Sequence, residues 1–317
     1  MKTEIISSAK PFLKWAGGKG QLLNKFESFF PPGLYTGEIE NYYEPFLGGG
    51  AVFFHIKSKG LPIKNFYLYD VNEELIRMYR VVRRDISELI KLLKSYKKKY
   101  YSLIESKDKE DFYMEVRDKL NKEKQKVSKK YSYDWIHRTA QLIFLNKTCY
   151  NGLFRVNKSG DFNVPFGNYK NPQICDEINL IRVNEALQGT EIEVRDFRKI
   201  DKGIKNHSFV YFDPPYLPLN RTSSFTAYSK FNFGIKEQKQ LAELFILLNK
   251  KYEIKLMLSN SDPEGNFFSK HYQGNNIFIR RVKANRMINC AAEKRGKISE
   301  LVITNYNDFV CIPPKEH

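Results

Sequence analysis

Apolar and polar positions follow two different rhythms along this chain. From residue 41 to 84, short apolar runs alternate with amphipathic ones. "NYYEPF" reads as a buried strand over 41–46, "LGGG" as a turn, and "AVFFHIKSKG" as a helix stopped by Gly60. "NFYLYD" over 65–70 reads as a second strand, and Leu75, Ile76, Tyr79 and Val82 then mark one face of a helix. From about 85 to 147 the strand signal disappears. Ile86, Leu89, Ile90 and Leu93 line one amphipathic helix, "KDKEDFYMEVRDKLNKEKQKVSKK" reads as a highly charged second, and "DWIHRTAQLIFLN" as a third. Residues 148–172 are rich in Gly, Asn and Pro with aromatics between, which predicts a hairpin or an ordered loop.

Alternation resumes at 176. "EIEVRDF", "SFVYFD", "EIKLMLSN", "NIFIRRV" and "ELVITNY" read as strands, and "KEQKQLAELFILLNK" as a helix with Leu241, Leu244, Phe245 and Leu248 in line. Strands that are apolar throughout and separated by helices predict an α/β fold, a doubly wound and mostly parallel sheet covered on both faces. The chain shows no internal repeat. The expected organisation is one sheet domain from residues 1–84 and 173–317, with 85–172 projecting from it as a helical and hairpin domain.

Composition sharpens this picture. With 317 residues, 42% of them hydrophobic, the chain is globular rather than disordered. The excess of 53 Lys and Arg over 36 Asp and Glu, a net +17, fits either a solubilising surface or a polyanion partner. Aromatics mixed into the basic segments favour nucleic acid. The four cysteines are scattered and the five histidines do not cluster with them, so neither structural zinc nor a disulfide framework is expected, and no metal. The first residues lack a signal-peptide run and no stretch approaches membrane-spanning length, so the expectation is a cytoplasmic protein with no membrane association.

Two stretches carry candidate chemistry. "EPFLGGGAVF" sits between a strand and a helix, where glycines let a ligand approach backbone N–H groups. It is not a dinucleotide fingerprint, because Phe53 stands at the third glycine position. "WAGGKGQ" is not a phosphate-binding P-loop, because Leu13 stands where its first glycine belongs and Gly20 follows Lys19. Asp70 closes the second strand about 20 residues after the turn, the spacing of an acid that binds ribose hydroxyls. A helix N-cap is the competing reading. Together, turn and acid suit an adenosine compound without a pyrophosphate.

The second stretch is "FVYFDPPYLPL". Pro214 and Pro215 cannot donate to a sheet ladder and force extended geometry on the residues before them. Asp213 and the Pro214 carbonyl thus become neighbouring acceptors at the carboxyl end of a strand, beside the ring of Tyr216. Two acceptors and a ring suit a planar aromatic amine; a plain strand stop with Tyr216 in the core fits the four residues equally well.

With the glycine turn, Asp70 and "DPPY" in one chain, the sequence resembles the S-adenosylmethionine-dependent DNA adenine-N6 methyltransferases of the Dam and DpnM type, the D12 class. The likeness runs from "PFLKWAGGKGQLL" at 11 to "ITNY" at 306. It implies a Rossmann-like methyltransferase sheet in which Trp15, Gly17, Gly18, Lys19, Glu44, Pro45, Phe46, Gly48, Gly50 and Asp70 surround S-adenosylmethionine. Asp196 and Phe197 would sit at its adenine. Asp213, Pro214, Pro215 and Tyr216 would form the catalytic motif. "YNGLFRVNKSGDFNVPFGNYKNP" resembles the recognition segment of members that read GATC, implying duplex DNA as partner. Lys14 would reach the first guanine, Tyr150 would wedge into the stack, and Leu153, Arg155 and Pro165 would contact the inner base pairs, with Asn151, Asn157 and Tyr169 beside them. Read without the resemblance, Arg155 is a phosphate contact and Tyr150 a packed ring.

The resemblance further implies a modification enzyme, with a cognate restriction endonuclease as genetic partner only, acting as a monomer or weak dimer. Cytosine-C5 chemistry is excluded, since no cysteine follows a proline. Cytosine-N4 methylation, RNA adenine methylation and a non-catalytic nucleic-acid-binding relative are the competing readings. The long lysine-rich stretch from 85 to 145 departs from the shortest relatives, and "KANRMINCAAEK" reads as a mobile basic loop.

Overall fold

The computed structural model describes residues 9–20, 22–216, 233–262, 266–285 and 297–309. Most of the expected basic loop, residues 286–294, and the end of the "DPPYLPL" stretch, residues 217–219, lie outside the described residues.

Two short helices, α1 (Leu23–Glu27) and α2 (Gly33–Thr36), lead into β1 (Asn41–Glu44), then α3 (Ala51–Ser58), β2 (Asn65–Asp70) and α4 (Glu73–Arg84). Three long helices follow, α5 (Ile86–Ser102), α6 (Ser106–Glu123) and α7 (Tyr133–Thr148). After a hairpin segment come α8 (Glu177–Leu187), β3 (Thr190–Val194), β4 (Ser208–Phe212), α9 (Ile235–Lys251), β5 (Ile254–Ser261), α10 (Phe267–His271), β6 (Phe278–Asn285) and β7 (Lys297–Thr304). The seven strands form one open sheet in the order β3-β2-β1-β4-β5-β7-β6. The pairs from β3 through β5 are parallel, and β7 runs antiparallel to both β5 and β6. The expected doubly wound, mostly parallel sheet is therefore present.

Local chemistry sets the element ends. β1 stops at Glu44, two residues short of the expected strand, because Pro45 has no N–H to give. β3 stops at Val194 because the Asp196 carboxylate accepts the Arg198 N–H and caps a 3-10 turn, Phe197–Lys202. The Asn72 side chain caps α4 by accepting the Leu75 N–H, with Glu73 and Glu74 in the first turn and Arg83 and Arg84 in the last, in favour with the helix dipole. The charged helix ends at Glu123 and passes into a short 3-10 turn. Residues 148–172 form the expected hairpin, with antiparallel bridges Cys149–Phe166 and Val156–Phe162.

Each face of the sheet carries its own core. One cluster holds Val210, Phe212, Phe245 and Leu256 under α9. The other joins Tyr42, Phe53 and Tyr79 of the sheet side to Tyr100, Phe112, Tyr113 and Phe144 of the long helices. The helical region is thus continuous with the sheet's core. Arg138 of α7 reinforces the junction: its Nε lies 2.8 Å from Glu74 Oε2 of α4, and its Nη1 donates to the Leu120 carbonyl of α6 at 2.9 Å.

Candidate active site

The sheet order reverses between β1 and β4, the place where open α/β sheets receive ligands beyond the strands' carboxyl ends. All four acids singled out from the sequence stand at this edge. Glu44 ends β1, Asp70 ends β2, Asp196 follows β3 after one residue, and Asp213 follows β4 directly.

The glycine turn is drawn onto Asp70. The Gly48 N–H donates to Asp70 Oδ2 at 3.0 Å, and the Asn72 N–H to Oδ1 at 2.9 Å. Tyr79 donates its hydroxyl to the Gly48 carbonyl at 3.1 Å. Gly48 and Gly50 have φ of 48° and 70°. A Cβ on Gly48 would stand 3.1 Å from the Trp15 ring, and one on Gly50 2.7 Å from the Tyr79 hydroxyl. Burial raises the Asp70 carboxyl above its ordinary range although the N–H groups of Asn72 and Gly48 oppose it. Burial pushes Glu44 well above its range, while the Tyr42 hydroxyl, donating at 2.8 Å, opposes the shift.

Aromatic rings flank this turn. Phe46, Phe197 and Phe233 form a three-ring cluster with centroids 5.3–5.6 Å apart. Trp15 stacks on Phe154 at 5.1 Å, which ties the amino-terminal "KWAGGK" segment to the hairpin. Beside the cluster, the hydrogen bond from Arg198 holds the Asp196 carboxyl below its usual range, and its Nε donates to Oδ1 at 2.8 Å.

Asp213 sits at the centre of a polar chain. Lys19 Nζ lies 2.7 Å from Asp213 Oδ1, and the lysine is 3% exposed. The Ser259 hydroxyl donates to the same oxygen at 3.1 Å and is itself 2.8 Å from the Tyr211 hydroxyl. Burial raises the Asp213 carboxyl from the ordinary range, with Lys19 and Ser259 opposing. Lys19 Nζ also stands 4.4 Å from the centre of the Tyr216 ring, whose hydroxyl donates to Glu300 Oε2 at 2.8 Å. Gln238, fully buried, donates to the Pro215 carbonyl at 2.8 Å and accepts from Asn260. Among the described residues the Pro214 carbonyl accepts no hydrogen bond. An ionisable acceptor and a ring whose hydroxyl is held therefore stand together on one lysine, with the Pro214 carbonyl between them in the chain.

The hairpin forms a second cluster. The Asn146 side chain bonds both main-chain groups of Lys14 and the Gly152 carbonyl, each at 2.9 Å. The Lys14 stem runs so close to Gly152 that a Cβ there would stand 2.1 Å from Lys14 Cδ. Lys14 Nζ lies 5.0 Å from the Tyr169 ring, and Tyr169 accepts the Asn151 N–H at 2.8 Å. Tyr150 is 48% exposed rather than packed, and Leu153 is half-buried. Pro165 is exposed, and its carbonyl accepts the Tyr150 N–H at 2.9 Å. The Arg155 guanidinium is held by Asn163, with Nε 2.9 Å from Oδ1. The Asn157 amide closes the tip of the hairpin on Asp161, apart from the others.

Sequence reasoning missed Asn146, Tyr79, Gln238, Ser259, Glu300 and Phe233. Ser259 and Asn260 carried a signal, as polar residues ending an apolar strand, and so did Glu300 at the start of one. Asn146 and Gln238 sit within helix patterns that gave none. No helix among the described residues is long and apolar enough to cross a membrane, and no group of three or more His, Cys, Asp or Glu among them could hold a metal ion.

Comparison with known proteins agrees with this geometry. Residues 15–288 match the family described as D12 class N6 adenine-specific DNA methyltransferase. The chain is 50% identical over 298 residues to the type II methyltransferase M.MjaIII of Methanocaldococcus jannaschii, covering 94% of this chain and 99% of that one. It is 33% identical over 305 residues to the type II methyltransferase M1.LlaDCHI of Lactococcus lactis subsp. cremoris, covering 94% and 96%. With the DNA adenine methylase of Escherichia coli K12 it shares 31% identity over 307 residues, covering 97% and 99%. A family match that spans most of the chain, near full-length relatives and a Rossmann-like sheet agree: the chain belongs to the D12 class of N6 adenine-specific DNA methyltransferases.

Proposed function

We propose that the protein methylates N6 of adenine within GATC in duplex DNA, as the modification enzyme of a restriction-modification system, with a cognate endonuclease as genetic partner only. The observation that carries the chemistry is the convergence of Asp213 and the Tyr216 ring on one point, with the Pro214 carbonyl next to Asp213 in the chain. The amino group of a stacked adenine is out of reach, so the base leaves the duplex and enters this pocket. Tyr216 stacks on it, and Asp213 and the Pro214 carbonyl accept its two N6 hydrogens. This draws the nitrogen lone pair out of conjugation and aims it. Positioning and fixed electrostatics supply most of the acceleration.

The family implies S-adenosylmethionine, which when bound supplies a methyl group on a good leaving group. The donor set fits it. Trp15, Gly17, Gly18, Pro45, Phe46, Gly48 and Gly50 would line its site, Glu44 and Asp70 would accept from its amino and ribose groups, and Asp196 with Phe197 would receive its adenine. Residues 85–172 would serve as the target-recognition region, with Lys14 and Arg155 on guanines and Tyr150 in the stack. GATC is supported by the hairpin's likeness to segments that read it, and the restriction-modification role by two relatives named type II methyltransferases.

Two assays test this reading. Tritium should pass from labelled S-adenosylmethionine into N6-methyladenine of DNA; no incorporation with several DNAs would leave a binding protein only. Treated plasmid should resist the endonuclease blocked by methylated GATC and be cut by the insensitive one. Continued cutting by the sensitive enzyme would remove the GATC assignment and leave adenine methylation standing.

A further inference from the structure

We propose that Lys19 is a placeholder for the target base: its ammonium occupies the position that receives the adenine amino group, and base entry displaces it. This rests on the reading of the Asp213 pocket given above. The resemblance puts Lys19 at the cofactor, but its Nζ lies 2.7 Å from Asp213 Oδ1 and 4.4 Å from the Tyr216 ring centre. One cation thus engages both groups assigned to the adenine, the acceptor and the stacking face. Its third close partner is the Gly17 carbonyl at 2.9 Å. An ammonium so close to the ring leaves no room for a base stacked on that face.

The surroundings suit an exchange. Ser259 donates to Asp213 from another strand and stays in place when Lys19 leaves. The carboxylate then trades one N–H donor for another and is never left buried without a partner, which would be costly. Glu300 holds the Tyr216 hydroxyl, so the ring keeps its position. Gly17 and Gly20 on either side of Lys19 are exposed, and a Cβ on either would meet nothing within 4 Å. The lysine can withdraw with little repacking. The exchange also replaces a cation by a neutral amine, so Asp213 is no longer neutralised by an ammonium and is held by the Ser259 hydroxyl and the amine together.

The test compares affinity for a GATC duplex with affinity for the same duplex made abasic at the target adenine. In the wild type the adenine must displace Lys19, so the two affinities differ little. Lys19→Met keeps the stem and removes the charge, and should raise the preference for the adenine duplex at least tenfold, with S-adenosylhomocysteine affinity unchanged within twofold. Lys19→Arg, a larger cation with two donors for Asp213, should lower the preference and provides the measurement if Lys19→Met does not fold. An unchanged preference in either variant overturns the proposal. So does a tenfold loss of S-adenosylhomocysteine affinity, which would make Lys19 a cofactor anchor. Wild-type methylation of the same duplex separates the failures: transfer with an unchanged preference overturns the placeholder alone, and absence of transfer overturns the pocket reading and the placeholder with it.

Discussion

Asn146 holds Lys14 by both of its main-chain groups across 132 residues of sequence, accepting its N–H and donating to its carbonyl. With its third bond, to the Gly152 carbonyl, the amide fixes the "KWAGGK" segment against the hairpin. Asn146→Ala removes three hydrogen bonds, one buried and two partly buried, and should cost about 3 kcal/mol, at roughly 1 kcal/mol for each. Asn146→Asp should cost more, since it leaves two carbonyls facing a carboxylate. Denaturant unfolding measures both; equal, near-zero losses would mean that water replaces the amide.

Asp213→Ala should bind DNA and S-adenosylhomocysteine within a few-fold of wild type. Methyl transfer should fall by about 10²–10³, the usual loss for one preorganised group at a reacting centre. Single-turnover label transfer reads this directly. Turnover near that of the wild type would remove the role assigned to Asp213.

Glu44 should trade stability for function. Its carboxyl is raised well above the usual range, by burial first. The folded state therefore holds the proton more tightly than the unfolded chain, and stability declines as pH rises from the unfolded value toward the raised one. Glu44→Gln keeps an acceptor for Tyr42 without the charge. Its melting temperature should exceed that of wild type by a few degrees at pH 8 and lose that advantage at pH 4, while cofactor affinity falls. An advantage independent of pH would place its origin in packing.

Gly50 and Gly60 separate conformation from contact. Both have positive φ, 70° and 61°, but only at Gly50 would a Cβ meet an atom, the Tyr79 hydroxyl at 2.7 Å. Gly60→Ala should cost about 1–2 kcal/mol, the left-handed penalty alone. Gly50→Ala should cost more and weaken cofactor binding as well, as calorimetry and thermal melting would register.

Arg155→Ala should relax specificity at one base pair by about 1–3 kcal/mol, the worth of a bidentate guanine contact. Uniform weakening across all sequences would instead make Arg155 a phosphate contact. Asn163 presents the guanidinium, so Asn163→Ala should give a weaker version of the same change.

The fold was legible wherever the pattern was long. β4 is apolar from Phe209 to Phe212 and β5 is buried at every position but Lys255, because both faces of the sheet are covered, and their apolar runs announced them as strands. Strand ends were read too far where a local cap intervened, at Pro45 and at Asp196. Asp70 and Asp213 were legible because each stands where an apolar run stops; Glu44 and Asp196 came only from the family resemblance, since neither closes such a run. Asn146 and Gln238 were not legible, because a buried amide inside a helix looks like any polar helical residue until its distant partner is known. The same holds for Lys19: its motif pointed to the cofactor, and only the folded chain brings it to Asp213.

The continuous packing of the long helices with one face of the sheet limits how target choice can change in this lineage. Tyr100, Tyr113 and Phe144 belong to the same apolar body as Tyr42 and Phe53. A segment cut out at residues 85 and 172 would carry away more than a third of that body, so grafting it between relatives should yield insoluble chimeras. On the recognition role proposed above for the hairpin, new target sequences should be reached instead by point changes at exposed Tyr150 and Pro165 and half-buried Arg155, with the interior unchanged.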